Sequence, residues 1–370
     1  MSGEAAPALK LFDLVHGEPD AASFHRIAPA HAAVPLPPRF FFGDFPADVA
    51  AHYFRHIGVG PVGTFTLRDV LFQAAYVIAR GGCPVVCSEL NIHPPHVAEA
   101  MAQVAGRERI VRRFDGSFAF IQGPGHHIFG HWLVDFLPKL FVLAACGHDP
   151  GALLYLMPKT TPTWALTFLR LLGIRADQLV FFDPFAEMIE VEVLLLPTFL
   201  HNGVRFAALF VEAARAIKAT AEAGRDPAAA WTGGSRLYLS RGKAGGFRGL
   251  RNRDALEAIA AEHGFAICHP EQMPLEAQIA MYAQATAIVG EYGSAHHMSI
   301  FSPPGTLVCG LRGSVYHPGF IQSGIGHALG QPTGYVFGAT DPADAGGAFT
   351  VPEPALRDCL EVVARNTHLL

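Results

Sequence analysis

The stretch "GHHIFGHWLVDFLPK", Gly125–Lys139, sets His126, His127, His131 and Asp135 close together. His127, His131 and Asp135 recur every four residues, so on one helix they share a face. Two histidines and a carboxylate are a usable zinc-ligand set. A histidine beside a carboxylate is also the make-up of a general base with an orienting partner. A buried helix with hydrogen-bonded polar residues would need neither role. Zinc would require the helix to run through both histidines. Gly130 and the glycines before it place the helix start between them.

A second stretch, "VGEYGSAHHMSIFSPPGT", Val289–Thr306, directly follows the apolar strand "TAIVG". Gly293 is expected to permit a sharp turn, and Ser294 to cap the helix after it. The first free N–H groups of such a helix attract an anion, pyrophosphate among them. "LSRGKAGGFRGLRN" sets Arg241 just past the strand "RLYLS", with Lys243, Arg248 and Arg251 nearby. Arginines at strand ends clamp phosphate oxygens in pairs. Each motif alone is a weak signal. At the same end of one sheet they point to a bound nucleotide. Neither half carries GxGxxG after its first strand, and GxxxxGK[ST] is missing, which weakens dinucleotide and ATPase readings. Glu271 and Glu291 are read either as partners of ribose hydroxyls or as ordinary loop charges.

These residues need a scaffold. The 370 residues suffice for two domains, and 51% hydrophobic with 16% charged residues describes well-filled cores. Net charge is −5, so no nucleic-acid partner is expected. The greasiest run is broken by Asp135, Pro138 and Lys139, short of the roughly 20 apolar residues of a membrane span. No secretory signal is read at the N-terminus, so a cytoplasmic location is expected, with peripheral contact to the inner membrane allowed. Cysteines 83, 87, 146, 268, 309 and 359 read as free thiols.

Residues 1–60, rich in proline and alanine, are expected to be an irregular lead-in. Residues 61–225 read as a hairpin followed by alternating strands and helices. "RDPAAAWTGG" reads as a linker, and residues 226–350 as a second strand–helix series. Apolar strand runs alternating with helices predict parallel sheets covered on both faces. The expected architecture is α/β, two units of this kind with a cleft between the halves. Ligands then bind beyond the carboxyl ends of the strands.

Three motifs in order resemble glycosyltransferase family 61, which includes capsular-polysaccharide transferases. The first is "GHWLVDFLPKL", with His131, Trp132, Asp135 and Pro138 in matching places. The second is "SRGKAGGFRGLRN", with Ser240, Arg241, Arg248 and Asn252. The third is "LEAQIAMYAQATAIVGEYGSAHHMSIFSPPGT", with Gln278, Gly290, Gly293, Ser294, His297, Phe301, Pro303, Pro304 and Gly305. Departures fall at Tyr292, where many members carry histidine, at Met298, where many carry asparagine, at Arg253, usually acidic, and at Ala277, usually glutamate.

The resemblance implies two Rossmann-like domains facing across a cleft, the glycosyltransferase B-type fold. It implies an inverting hexosyl- or pentosyltransferase that takes a nucleotide-sugar, a UDP-sugar first, to a glycan or lipid-linked glycan acceptor in surface or capsular polysaccharide synthesis. No cofactor or metal is expected. The C-terminal helix, within 351–370, is expected to pack back on the first domain. Catalysis would fall to His131, with Asp135 as orienting partner or alternative base. Donor binding would fall to Arg241, Arg248, Asn252, Glu271, Gly293, Ser294 and His297. Trp132 reads as core or as a stacking face for a sugar. Two other readings compete. One is a zinc-dependent hydrolase using His126, His127, His131 and Asp135. The other is a nucleotide-sugar-binding protein that has lost activity, as the departures at Tyr292, Met298 and Arg253 allow.

Overall fold

The computed structural model describes residues 8–33, 38–43, 57–242, 249–313, 320–340 and 346–366. They divide into two compact units, one from Met1–His31 with Gly60–Leu200, the other from Ala32–Val59 with His201–Leu370.

The first unit holds a nine-stranded sheet. Its spine is a long antiparallel pair, Val62–Phe72 against Glu187–Pro197. In Val62–Phe72 the buried positions step by two through Phe65 and Leu67, then skip to Val70 and Phe72. Asp69, at φ 51, sits at that skip. Beyond the spine, Ile110–Ala119, Leu154–Pro158 and Leu179–Phe182 follow in parallel, joined by helices. The unit is therefore mixed α/β: the strands of the expected strand–helix series run parallel to one another, and Val62–Phe72 joins them antiparallel. The hairpin strands on the other side pair antiparallel.

The lead-in is also corrected. Leu9–Lys10 pairs with the strand Cys83–Val86, and Ala22–Ala28 pairs with Val62–Phe72. Between them the helix Leu11–Gly17 brings Phe12 to 4.9 Å from Phe65, ring centre to ring centre. These short segments show no period of their own. Their partners lie far along the chain.

The second unit has five parallel strands in spatial order Ala266–Cys268, Arg236–Leu239, Ala287–Glu291, Leu307–Gly313 and Thr333–Thr340. Numbered along the chain this is 2-1-3-4-5, the order of doubly wound sheets whose ligand sits where the order reverses. Tyr238, Val289, Cys309 and Val336 pack into one core, and the alternate residues Leu237, Ile288 and Val308 are buried as well. Such strands are covered on both faces, as their unbroken apolar runs predict. Phe40–Phe42 extends the sheet beside Thr333–Thr340. The helix Ile321–Leu329 and the strand Thr333–Thr340 were not anticipated from sequence.

Two expected boundaries move. The helix Leu209–Gly224 packs on the helix Leu275–Ala283 and the turn Ser294–Phe301, so it belongs to the second unit rather than to residues 61–225. The C-terminal helix, Glu353–Asn366, expected on the first domain, packs within the second unit. Leu356, Cys359, Leu360 and Val363 are fully buried beside Tyr238 and Cys309. Its apolar stripe had to be covered, but a stripe does not name its partner. Leu360→Ala should destabilise the protein by about 2–5 kcal/mol, the usual range for a truncated core leucine. Urea unfolding measures it. An unchanged midpoint would mean that the helix is not part of this core.

All six cysteines are free thiols, five of them buried. Among the described residues no helix is long and apolar enough to cross a membrane.

Candidate active site

The first unit places "GHHIFGHWLVDFLPK" just beyond the carboxyl end of the strand Ile110–Ala119. Gly125, at φ +80, turns the chain, and Ile128 N–H donates to its carbonyl at 2.7 Å. The helix starts at Phe129, between His127 and His131. From Trp132 to Phe136 it widens into a π turn, with Leu137 N–H donating to the Trp132 carbonyl at 2.9 Å. Pro138 supplies the reason. It has no N–H for an ordinary helical bond, and its ring would strike the carbonyl four residues back.

Within that turn His131 Nδ1–H donates to the Asp135 carboxylate. Asp135 is 4% exposed and His131 half-buried. Burial pulls the His131 pKa down, but the hydrogen bond to Asp135 and its charge together outweigh burial and leave it raised. The other edge of the ring is close to Gly125. A Cβ there would lie 3.0 Å from His131 Nε2, so glycine leaves room for that nitrogen. Gly125, His126 and His131 line a cavity of about 500 Å³ with Tyr76, Asn91 and Glu99. Trp132 is fully buried, and its Nε1–H donates to the His126 carbonyl at 2.7 Å, so it is core. His126 Nε2 meets Thr160 Oγ1 at 3.0 Å, and its pKa is lowered by burial first and by His127 second. His127 is exposed.

The second unit builds its candidate site where the strand order reverses, between Arg236–Leu239 and Ala287–Glu291. The glycine this crossing needs is Gly290 (φ +148), where a Cβ would lie 2.2 Å from the Leu239 carbonyl oxygen. Gly293 is corrected. Its φ of 177° is extended backbone open to any residue, and the N-cap position falls on Gly293 rather than Ser294, without a side-chain cap. Arg241 follows the first strand, with its N–H donating to Glu291 Oε1 at 3.0 Å and its Nη1 to the Tyr292 carbonyl at 3.4 Å. Glu291 is 2% exposed and is also held by Arg253, Nε to Oε1 at 2.7 Å and Nη2 to Oε2 at 2.9 Å. A carboxylate so engaged anchors the loop and is not available for a ribose.

Against known proteins, one comparison separates from the rest. Residues 129–309 match the family model described as Glycosyltransferase 61. The match supports a glycosyltransferase and begins at the helix turn that carries His131. None of the curated proteins matches the chain significantly. Two solved structures are similar at a low level. One is a dodecameric iron-containing heptosyltransferase, TibC, in complex with ADP-D-β-D-heptose, with 10% identity, TM-score 0.31, and 99% of each chain covered. The other is the dodecameric iron-containing glycosyltransferase TibC from enterotoxigenic E. coli H10407, with 10% identity, TM-score 0.29, covering 91% of this chain and 99% of that one. Likeness at that level does not fix a fold.

Within the family 61 stretch, the expected site residues divide. His131 and Asp135 come together in the first unit, and Arg241 adjoins Gly293, the residue before Ser294, in the second. Glu271 is exposed in the turn after Ala266–Cys268. Asn252 is occupied elsewhere, because its amide donates to the Val351 carbonyl at 2.8 Å and accepts from Val351 N–H at 3.3 Å. His297 is buried, with Nδ1 3.0 Å from Gln322 Oε1. His296 is fully buried with its pKa lowered to about 3, burial being the main cause. Arg248 and Lys243 lie outside the described residues. The zinc reading loses its ligand set: among the described residues no three His, Cys, Asp or Glu side chains gather as metal ligands.

The departures from the family pattern have structural uses. Arg253 forms the Glu291 pair, and Met298 is fully buried. Tyr292 packs against His296 and Tyr335. Sequence reasoning missed Arg312, at the carboxyl end of Leu307–Gly313. Its guanidinium lies 3.8 Å from the Phe320 ring centre and 5.1 Å from that of Tyr292. A charged residue ending an apolar strand at the same sheet end as Arg241 was the available signal.

Proposed function

We propose that the protein is an inverting glycosyltransferase. It moves a sugar from a nucleotide-sugar, a UDP-sugar in the first instance, to a hydroxyl of a glycan acceptor in surface or capsular polysaccharide synthesis. The observation that carries this reading is the His131–Asp135 pair at the wall of a cavity of about 500 Å³.

In this reading the acceptor hydroxyl lies in that cavity and hydrogen bonds to His131 Nε2. The nitrogen takes the proton as the hydroxyl oxygen attacks the anomeric carbon. The bond from that carbon to the diphosphate breaks on the opposite face, and its electron pair leaves with the nucleoside diphosphate. Asp135 keeps the first proton of His131 on Nδ1 and stabilises the imidazolium that forms. Arg241, beside Gly293, meets the charge of the departing diphosphate. A fold of the B type belongs to the same proposal.

A panel of nucleotide-sugars scored by thermal stabilisation and then by turnover tests the reading, since a ligand of the native state raises Tm by mass action. Arg241→Ala should weaken UDP binding by about 1.5–3 kcal/mol, the range for a lost hydrogen bond to a charged group. Unchanged calorimetric affinity would remove the phosphate role. UDP binding without turnover of any donor would leave a nucleotide-binding protein and not a transferase.

A further inference from the structure

The cavity that His131 lines has a second wall with no part in the proposed proton transfer. His96, Glu99, Ala100 and Gln103 all line it, and all lie on the helix Pro94–Val104. Steps of three and four residues keep side chains on one face of a helix, so a single face forms this wall. Asn91, just before the helix, lines the cavity as well and stands at φ 54. Asparagine tolerates that left-handed region better than most residues.

Other groups hold the wall in place. His96 Nδ1–H donates to the Asn91 carbonyl at 2.9 Å, and Tyr76 Oη, from the loop after Val62–Phe72, donates to the His96 carbonyl at 3.3 Å. The Gln103 carbonyl accepts from Arg107 Nε at 3.0 Å. The side-chain amides of Asn91 and Gln103 and the carboxylate of Glu99 are left over. Among the described residues none of these three side chains has a hydrogen-bond or ion-pair partner.

Charge decides what they suit. Among the described residues Glu99 is the one acidic group in the lining, and no lysine or arginine joins it. Arg107, beyond the end of the helix, lies over the Phe185 ring instead, 5.5 Å from its centre. Of the lining histidines, His126 has its pKa lowered by burial, and His131 is the neutral base of the proposed reaction. A carboxylate only accepts hydrogen bonds, whereas an amide donates and accepts. Neighbouring hydroxyls of a sugar ring satisfy both. A second carboxylate or a phosphate brings only acceptors and like charge to Glu99. Pro124, Ile128 and Phe185 add apolar surface for the C–H face of a ring, a mixture usual in small-molecule sites.

We propose that this wall is the acceptor-sugar subsite, that it selects an uncharged sugar over a uronic acid or a phosphorylated sugar, and that Glu99 is the residue that determines this specificity. The inference rests on the cavity being the acceptor site and adds which acceptor it takes. Glu99 is exposed, so salt screens its repulsion of an anion. Discrimination then comes mainly from the mismatch of acceptor against acceptor.

Ligand-observed NMR on the unliganded full chain, at about pH 8 where an ordinary histidine is neutral, tests this without a donor. The probes are the methyl glycosides of glucose, galactose and mannose, each beside its uronic acid. At least one neutral glycoside should bind, and its uronide should bind about tenfold more weakly, the low end for a hydrogen bond to a charged group. Glu99→Ala should weaken the neutral glycoside by a similar factor. Glu99→Gln should keep most of the neutral binding and close most of the gap, because its amide also donates to a carboxylate. Glu99 is exposed, so both variants should keep the parent Tm. Binding of none of the six probes, uronides bound as tightly as their neutral partners, or an unchanged preference in Glu99→Gln would each overturn the proposal. Selective binding without turnover of any donor would support the subsite and remove the transferase. Turnover that favours uronic-acid acceptors would overturn the selectivity and leave the transferase standing.

Discussion

Replacing His131 by alanine is expected to cut kcat by roughly 10²–10⁴, the usual contribution of a positioned general base. Three observations lead there. His131 lines the cavity, its Nδ1–H is held by a nearly buried carboxylate, and Gly125 leaves room beside Nε2. UDP affinity should hardly change, because the residues assigned to the diphosphate belong to the second unit. Asp135→Asn should retain the fold but lose much of the rate, since an amide can present either edge to Nδ1 and no longer stabilises an imidazolium. His127→Ala should be mild, because that side chain is exposed and precedes the helix. Steady-state kinetics and calorimetry on the three variants check all of this. Near-normal kcat in His131→Ala would end the assignment, and a collapse of Tm would point to a structural histidine.

Removing the Glu291 side chain is expected to have the largest effect on stability. Its carboxylate accepts three hydrogen bonds, one from Arg241 N–H and two from Arg253, while only 2% exposed. Glu291→Ala would leave the Arg253 guanidinium without its counter-ion and a main-chain donor unpaired. Breaking one side of such a pair costs about 3–5 kcal/mol. Arg253→Met should cost a similar amount, because it strands the more deeply buried partner. The double variant Glu291→Met with Arg253→Met should lose less than the sum, as apolar replacement of a whole buried pair often does. Urea unfolding gives the comparison. Additive losses, or single variants within about 1 kcal/mol of the parent, would show that the pair is not coupled in this way. Since Glu291 also holds the backbone of Arg241, the single variants should weaken UDP binding too.

Much of the scaffold was legible without coordinates. The apolar runs "RLYLS", "TAIVG" and "TLVCGL" are strands of one parallel sheet, because only a strand covered on both faces tolerates such runs. The helix start between His127 and His131 followed from glycines that disfavour an earlier helix, and the four-residue spacing did bring His131 onto Asp135. Local chemistry of this kind is written in neighbouring residues.

Other parts were not readable there. The strand Ala22–Ala28 is too short and too mixed to announce itself, and it exists because Val62–Phe72 offers it an edge. Asn252 looked like a ligand contact until the fold brought Val351 to its amide. Arg253 looked like a loss from the family pattern until Glu291, 38 residues away, was seen to need it. Lys139 served only as a break in an apolar run, because sequence does not show which rings will close over an ammonium.

By itself the sequence determined most of the periodic elements, their order and the spacing of His131 and Asp135, since each depends on residues within a few turns of chain. Tertiary structure alone decided which sheet each apolar stripe covers, where the strand order reverses, and which polar groups are used up inside the protein. Those outcomes depend on contacts between residues far apart in the chain, and burial then fixes whether a charge is paired, neutralised or left to act on its neighbour.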